Sequence, residues 1–355
     1  VKGILWTGDE VQYVEDLEVG EPGPGRVSVD IDIAGLCHSD LKPVAGDIPQ
    51  LTPVVLGHEA IGRVAGLGEG VNPAWLGKRV TLTVLPSCGT CEFCSSGREH
   101  WCRASAAPAP SPFTRHGRPV HQFVRLGAFA SRTVVGVSQL IELPESLDAL
   151  VGAMLGCATV TAFGAAKQQA RIGEGDSVLV TGVGGVGLNS IIAARHYGAR
   201  HITAYDVHES KRELAFRCGA DEFHTPTTAG AIASIAPAEG FDVVLECTGA
   251  APVLREAFHS LGWGGRCVIV GLPAHGTDVG LEIRDFFNDK SLHGCRMGSV
   301  SPQHFIPQLA ASIERGELDL SPVVSALVPP QNVNDLITAL GRGELARGYL
   351  DFRGH

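Results

Sequence analysis

The chain has no run of lysines or arginines, and its 28 basic residues are outnumbered by 38 acidic ones, for a formal net charge of −10. That balance argues against a nucleic acid or an anionic membrane surface as partner. Aromatic residues are scarce, with four Trp and four Tyr among 355 residues, a count that fixes nothing about pocket size. No internal repeat of solenoid period is present. No hydrophobic leader precedes the first charged residues, so cytoplasmic residence is the default expectation. An uncharged stretch of membrane-spanning length, Ser177 to Ala194, holds Gly182, Gly184, Gly185, Gly187 and Asn189. It reads as a strand, a turn and a helix, and no membrane partner is expected.

What is present is a well-packed composition, 44% hydrophobic and 19% charged, on a chain too long for one ordinary core. Up to about residue 150, short β-branched runs broken by Gly and Pro predict an irregular, mostly β domain. Its strands fall at Val27 to Ile33, Pro53 to Leu56, Arg79 to Val84 and Arg132 to Val135. Residues 103 to 120, rich in proline, read as a surface excursion within it. From about residue 158 the texture changes. Apolar runs at Ser177 to Thr181, His201 to Tyr205, Asp242 to Cys247 and Arg266 to Val270 alternate with helical stretches at Leu188 to Tyr197, Ser210 to Cys218 and Pro252 to Leu261. Such alternation predicts βαβ units and a doubly wound parallel sheet, an α/β Rossmann domain. Further helices are expected at Pro302 to Arg315 and Val333 to Leu340. The expected domains are 1–157 with 297–355, and 158–296.

Four cysteines, Cys88, Cys91, Cys94 and Cys102, form a ladder with two, two and seven intervening residues. Tight Cys-x-x-Cys turns suit tetrahedral tetrathiolate coordination, the closed geometry of structural zinc. A disulfide framework belongs to small secreted chains. Ferredoxin ladders place the fourth cysteine after three residues and before proline, whereas here the gap is seven and Arg103 follows.

Between a predicted strand and helix lies Gly182-Val183-Gly184-Gly185-Val186-Gly187. Glycines there allow a tight turn, close backbone approach to a pyrophosphate and close helix–strand packing, while the helix N-terminus offers free N–H groups. The next strand ends in Asp206, about twenty residues on, where a carboxylate pairs with the ribose hydroxyls of NAD and would repel the 2′-phosphate of NADP.

Cys37, His58 and Cys157 remain outside the ladder. Taken singly, a buried cysteine or histidine is more often packing than ligand. Together, two thiolates and an imidazole leave one tetrahedral position open, the donor set of a catalytic zinc. With the ladder, Gly57-His58-Glu59, Gly156-Cys157, the glycine fingerprint and the closing Gly343-Glu344-Leu345-Ala346-Arg347, all in order, the chain resembles the zinc-dependent alcohol dehydrogenases of the medium-chain dehydrogenase/reductase superfamily from about residue 3 to its end.

The resemblance implies a GroES-like catalytic domain beside the Rossmann domain, two zinc ions per subunit and NAD. It implies that Cys37, His58 and Cys157 bind catalytic zinc, with Asp40 and Glu59 behind them. Ser39 would pass the hydroxyl proton of a small-molecule alcohol outward. His38 and Arg347 would contact the cofactor pyrophosphate, Lys211 the adenosine ribose, and Val270, Gly271, Leu272, Cys295 and Thr161 the nicotinamide side. A homodimer is implied, with a tetramer as the alternative.

The chain departs from the family at Lys42, where many members carry a relay histidine; a relay role and a plain surface cation stand as equal readings. Arg115-His116-Gly117-Arg118-Pro119-Val120-His121 matches the animal-type and glutathione-formaldehyde branches. Ile48, Gln50 and Ala106 stand where the latter carry acidic and arginine side chains. Ordinary primary or secondary alcohols are therefore placed ahead of thiol adducts, and a catalytically silent NAD- and zinc-binding protein behind both.

Overall fold

The computed structural model describes residues 1–107, 109–226 and 230–354, the side chains at 105 and 106 excepted, so the reading at Ala106 lies outside it. The chain forms two compact units. One comprises Val1–Cys157, Ser301–Asp319 and Val324–His355; the other comprises Ala158–Val300 and Leu320–Val323. The return falls at Ser301, later than the expected residue 297. Met297, Gly298 and Ser299 all have positive φ and form a turn held within the second unit. An ideal Cβ on Gly164 would sit 2.4 Å from the Gly298 carbonyl oxygen, so neither glycine can be replaced without moving backbone.

The second unit is a six-stranded sheet with every neighbouring pair parallel. Its order is Glu222–His224, His201–Tyr205, Ser177–Thr181, Phe241–Glu246, Leu261–Ile269 and Ser291–Gly294. Val178, Leu179, Val180, Val243, Val244 and Leu245 are fully buried, the continuous apolar signature of strands covered on both faces. Strand order reverses between Ser177–Thr181 and Phe241–Glu246, which makes their carboxyl ends the topological switch point. The two edge strands escape sequence detection because Glu222, His224 and His293 break any apolar run.

In the first unit, the long strands Arg26–Leu36 and Glu59–Leu67 anchor a seven-stranded sheet that also contains Arg79–Leu82, Arg132–Gly136, Leu140–Glu142, Ala326–Val328 and Gly348–Asp351. A second sheet of six strands corrects the reading of residues 103–120 as a mere excursion. Phe113–Arg115 and Arg118–Gln122 form a hairpin in that sheet, turned at His116 and Gly117, both with positive φ, as a two-residue hairpin loop requires. Phe113 and Val120 pack in a core with Leu5, Val14, Leu17 and Val55.

One helix of membrane-spanning length and apolarity exists among the described residues, Ala149–Gln169, and 89% of its most apolar window is buried inside the protein. It is a core helix that the sequence reading missed. Asp148 caps its start by accepting from the Leu150 and Val151 N–H groups.

Candidate active site

Strand register assembles the open site. Gly35 lies opposite Glu59 across one strand pair and opposite Tyr349 across another. The residues just beyond these strand ends, Cys37, His58 and Arg347, therefore converge. Gly35 is required: an ideal Cβ there would sit 2.8 Å from Glu59 Oε2. Gly57 is required too, with φ +91° and an ideal Cβ 2.5 Å from the Phe129 backbone nitrogen, so the chain can turn His58 inward only without a side chain at 57.

Cys37 precedes the short helix His38–Leu41. Asp40 reaches back from that helix: its Oδ2 accepts from the Cys37 N–H at 3.0 Å, and its Oδ1 accepts from His58 Nδ1–H at 2.6 Å. One fully buried carboxylate thus fixes the helix start and the imidazole tautomer, leaving Nε2 as the donor atom for a metal. Phe123 meets His58 edge-on, with ring centroids 6.1 Å apart.

Cys157 arrives on the core helix within a π-helical segment, Leu155–Thr159, a distortion that recurs at functional sites. Gly156 lets this segment touch strand Arg79–Leu82, since an ideal Cβ would sit 2.1 Å from the Leu82 carbonyl oxygen. The Cys157 thiol hydrogen-bonds Cys37 and holds the Cys37 pKa well below the ordinary thiol range, against its burial and with help from His58 and Arg347. Cys157 is itself pushed well above that range by its bond to Cys37 and by burial. Burial disfavours the charged form of His58, yet the Asp40 carboxylate prevails and raises its pKa to about 10.

Cys37 Sγ, a His58 ring nitrogen and a Glu59 carboxylate oxygen lie within 4.8 Å of one another. Cys157 stands just outside that tight group, bonded to Cys37. Glu59 is fully buried and forms an ion pair with Arg347. Two thiols and an imidazole converging in a buried setting, with the Glu59–Arg347 ion pair beside them, fit a site built for a divalent cation.

The ladder is the contrasting case. Its four sulfurs also lie within 4.8 Å of one another, at 3.6 Å for Cys91–Cys94 and 3.9 Å for both Cys88–Cys94 and Cys91–Cys102. Sulfurs at about 2.3 Å from a tetrahedral zinc stand about 3.8 Å apart, whereas a disulfide needs about 2.05 Å. None of the ten cysteines, all of them among the described residues, is in a disulfide. Backbone N–H groups of Cys88 and Cys91 donate to ladder sulfurs at 3.4 Å each. Hydrogen bonds from Thr90 and Cys91 bring the Cys88 pKa down to about 6, while burial and its thiol neighbours push Cys94 up to about 12.

In the second unit Gly182 has φ +82°, and helix Gly185–His196 starts directly after Gly184, where an ideal Cβ meets nothing within 4 Å. Gly187 is tight against the turn, its ideal Cβ 1.8 Å from the Gly182 carbonyl oxygen. An open cradle at a helix N-terminus suits a pyrophosphate. Asp206 braces the turn, with Oδ2 accepting from the Val183 N–H at 2.6 Å and Oδ1 from the His208 N–H at 2.9 Å. Lys211 is buried nearby, its pKa lowered by burial and drawn back up by Asp206. Val270 and Gly271 donate their N–H groups to the Glu246 carbonyl at 2.8 Å each. Thr161 bonds the Met297 sulfur at 3.7 Å.

Residues 23–145 match the alcohol dehydrogenase GroES-like domain, and residues 185–315 match the zinc-binding dehydrogenase domain. The chain is 31% identical over 360 residues to an S-(hydroxymethyl)glutathione dehydrogenase of Synechocystis sp., covering 97% of each. It belongs to the zinc-dependent alcohol dehydrogenases. Solved structures agree. Benzyl alcohol dehydrogenase from Acinetobacter calcoaceticus superposes with a TM-score of 0.86 at 26% identity, covering 99% of each chain. Acetophenone reductase from Geotrichum candidum, in complex with NAD, superposes with a TM-score of 0.81 at 26% identity, covering 100% of this chain and 98% of that one. As a family member the protein is an oxidoreductase with zinc and NAD as cofactors.

Two features of this alcohol dehydrogenase escaped the sequence. Lys42 forms an ion pair with Asp47 at 2.7 Å. Glu246, a carboxylate closing an apolar strand, is fully buried; its charge at the end of Asp242-Val-Val-Leu-Glu246 was the available signal.

Proposed function

We propose that the protein oxidises a primary or secondary alcohol, or reduces the matching carbonyl, with NAD in preference to NADP. The reading rests on the contrast between a four-sulfur site closed by protein ligands and a buried Cys37, His58 and Cys157 set with one position to spare. Zinc held by those three residues supplies Lewis-acid polarisation of a substrate oxygen. Asp40 orients His58, and Glu59 with Arg347 balances charge beside it. Ser39, half-buried two residues past Cys37, carries the substrate proton outward.

NAD takes the glycine turn Gly182 to Gly187, with Asp206 and Lys211 at its ribose and His38 and Arg347 contributing donors to its pyrophosphate. Val270, Gly271, Leu272, Cys295 and Thr161 serve the nicotinamide side. Asp206 supports NAD, since a 2′-phosphate would meet its carboxylate. Lys42 acts as a surface cation: its ammonium is engaged by Asp47, which leaves it poorly suited to accept a proton.

Ile48 and Gln50 in the loop after Cys37 offer no charge to a glutathione adduct, which places the S-(hydroxymethyl)glutathione reaction second. A cytoplasmic homodimer completes the reading. Among the described residues, strand Ser291–Gly294 pairs on one side only, and Ile283 and Phe287 nearby in sequence are 79% and 84% exposed, features that suit symmetric pairing with a second copy.

A panel of alcohols and carbonyls followed at the NADH absorbance, with NAD and NADP in separate arms and S-(hydroxymethyl)glutathione included, tests the reading. Turnover of plain alcohols with NAD is expected. Turnover of the thiol adduct alone would move the assignment to that branch, and preference for NADP would overturn the cofactor reading.

A further inference from the structure

The carboxyl end of strand Phe241–Glu246 carries an unusual load. Val243, Val244 and Leu245 are fully buried, and so is the charged Glu246 that follows them. A buried carboxylate is costly unless paired or hydrogen-bonded, and among the described residues Glu246 makes no ion pair. It is satisfied by hydrogen bonds alone. Oε1 accepts from the Thr248 N–H at 2.7 Å, from the Thr248 hydroxyl, from the Gly249 N–H at 3.2 Å and from Thr181 Oγ1 at 3.4 Å. Oε2 accepts from the Gly249 N–H at 3.1 Å. The backbone carbonyl takes the Val270 and Gly271 N–H groups. Burial raises the carboxyl pKa while these bonds pull it back down.

The donors come from the carboxyl ends of three adjacent parallel strands, on both sides of the switch point. Thr181 leads directly into the Gly182 turn, Thr248 and Gly249 follow Glu246 itself, and Val270 and Gly271 follow Leu261–Ile269. The loops are packed without slack. An ideal Cβ on Gly182 would sit 2.8 Å from Thr248 Cγ2, and one on Gly271 would sit 2.3 Å from the Gly249 nitrogen.

We infer that Glu246 is a positioning residue for the dinucleotide, fixing the 247–250 and 270–272 loops against the phosphate-binding turn so that NAD meets a preformed site. This rests on the assignment of NAD to the glycine turn. A glutamine keeps Oε1 and its donors but removes the charge and puts an amide N–H where Oε2 accepts, facing the Gly249 N–H. Loosened loops weaken cofactor binding without touching the zinc ligands.

The test is an NADH fluorescence titration, with steady-state kinetics and zinc content, on the zinc-loaded wild type, Glu246→Gln and Thr248→Val. For Glu246→Gln the NADH Kd and the KM for NAD are expected to rise roughly tenfold or more. Turnover at saturating NAD should hold or increase, since looser NADH leaves faster, and two zinc ions per chain should remain. Thr248→Val, which removes one donor, should raise Kd by roughly threefold. A folded Glu246→Gln that binds NADH as the wild type does overturns the proposal. So does a fall in kcat at unchanged KM. If Glu246→Gln fails to fold, an unchanged Kd in Thr248→Val overturns it. Failure of the wild type itself to bind NADH would instead strike the NAD assignment beneath it.

Discussion

The two candidate metal-binding clusters sit in the same unit and are built in opposite ways. The ladder draws Cys88, Cys91, Cys94 and Cys102 from one short segment with little regular structure around it, and Cys88 is exposed. The open site draws Cys37, His58 and Cys157 from two strand ends and a core helix, all buried, and each approach depends on a glycine at 35, 57 or 156. The first arrangement is local and includes an exposed thiol, so a zinc bound there would be what holds it. The second is imposed by the sheet register, so the fold itself would hold the ligands of a metal and leave one position free.

This contrast can be broken by exchanging the roles of the two sites. The largest effect is expected for Cys157→Ser, which should cut turnover by about a thousandfold or more while leaving the thermal midpoint nearly unchanged. Cys91→Ser should do the reverse, keeping turnover in the folded fraction but lowering the midpoint by roughly 5 °C. Calorimetry and initial rates on the same preparations decide it; equal loss of turnover in both variants would erase the distinction.

A smaller effect sharpens how the open site is held. Asp40→Asn keeps the shape but weakens the carboxylate that orients His58 and caps the Cys37 turn, so zinc affinity there should fall roughly 10–100-fold. Competition with a coloured chelator should show one weakened zinc and one unaffected. Smallest of all is Lys42→Ala. Since Asp47 already engages the ammonium, turnover should stay within roughly tenfold of the wild type, the low end of general-base effects. A loss of several hundredfold would make Lys42 part of the proton path.

How much was legible in the sequence follows the same divide. The ladder could be read outright, because its geometry is a matter of spacing. The glycine turn was legible for a similar reason, lying between a recognisable strand and helix, and strands Ser177–Thr181 and His201–Tyr205 match their expected ends. Cys37, His58 and Cys157 could be grouped only through donor chemistry and family order, since nothing local says that residues so far apart meet. Helix Ala149–Gln169 was missed because its apolar residues show no polar face to give a period, as befits an element buried all round. The hairpin at 113–122 was hidden by Pro119 within it, by Pro110 and Pro112 just before it, and by the role of His116 and Gly117 as a turn. Glu246 was passed over because a charge at a strand end reads as solvated until the loops that donate to it are seen.

The central claim is that one zinc supports structure and a different one supports chemistry. Timed chelation of the wild type, with zinc per chain and NADH production measured on each sample, tests it most directly. Two zinc ions are expected at the start, with turnover that falls in step with the loss of one of them and is indifferent to the other. A single zinc at the start, or turnover that survives removal of both, would contradict it.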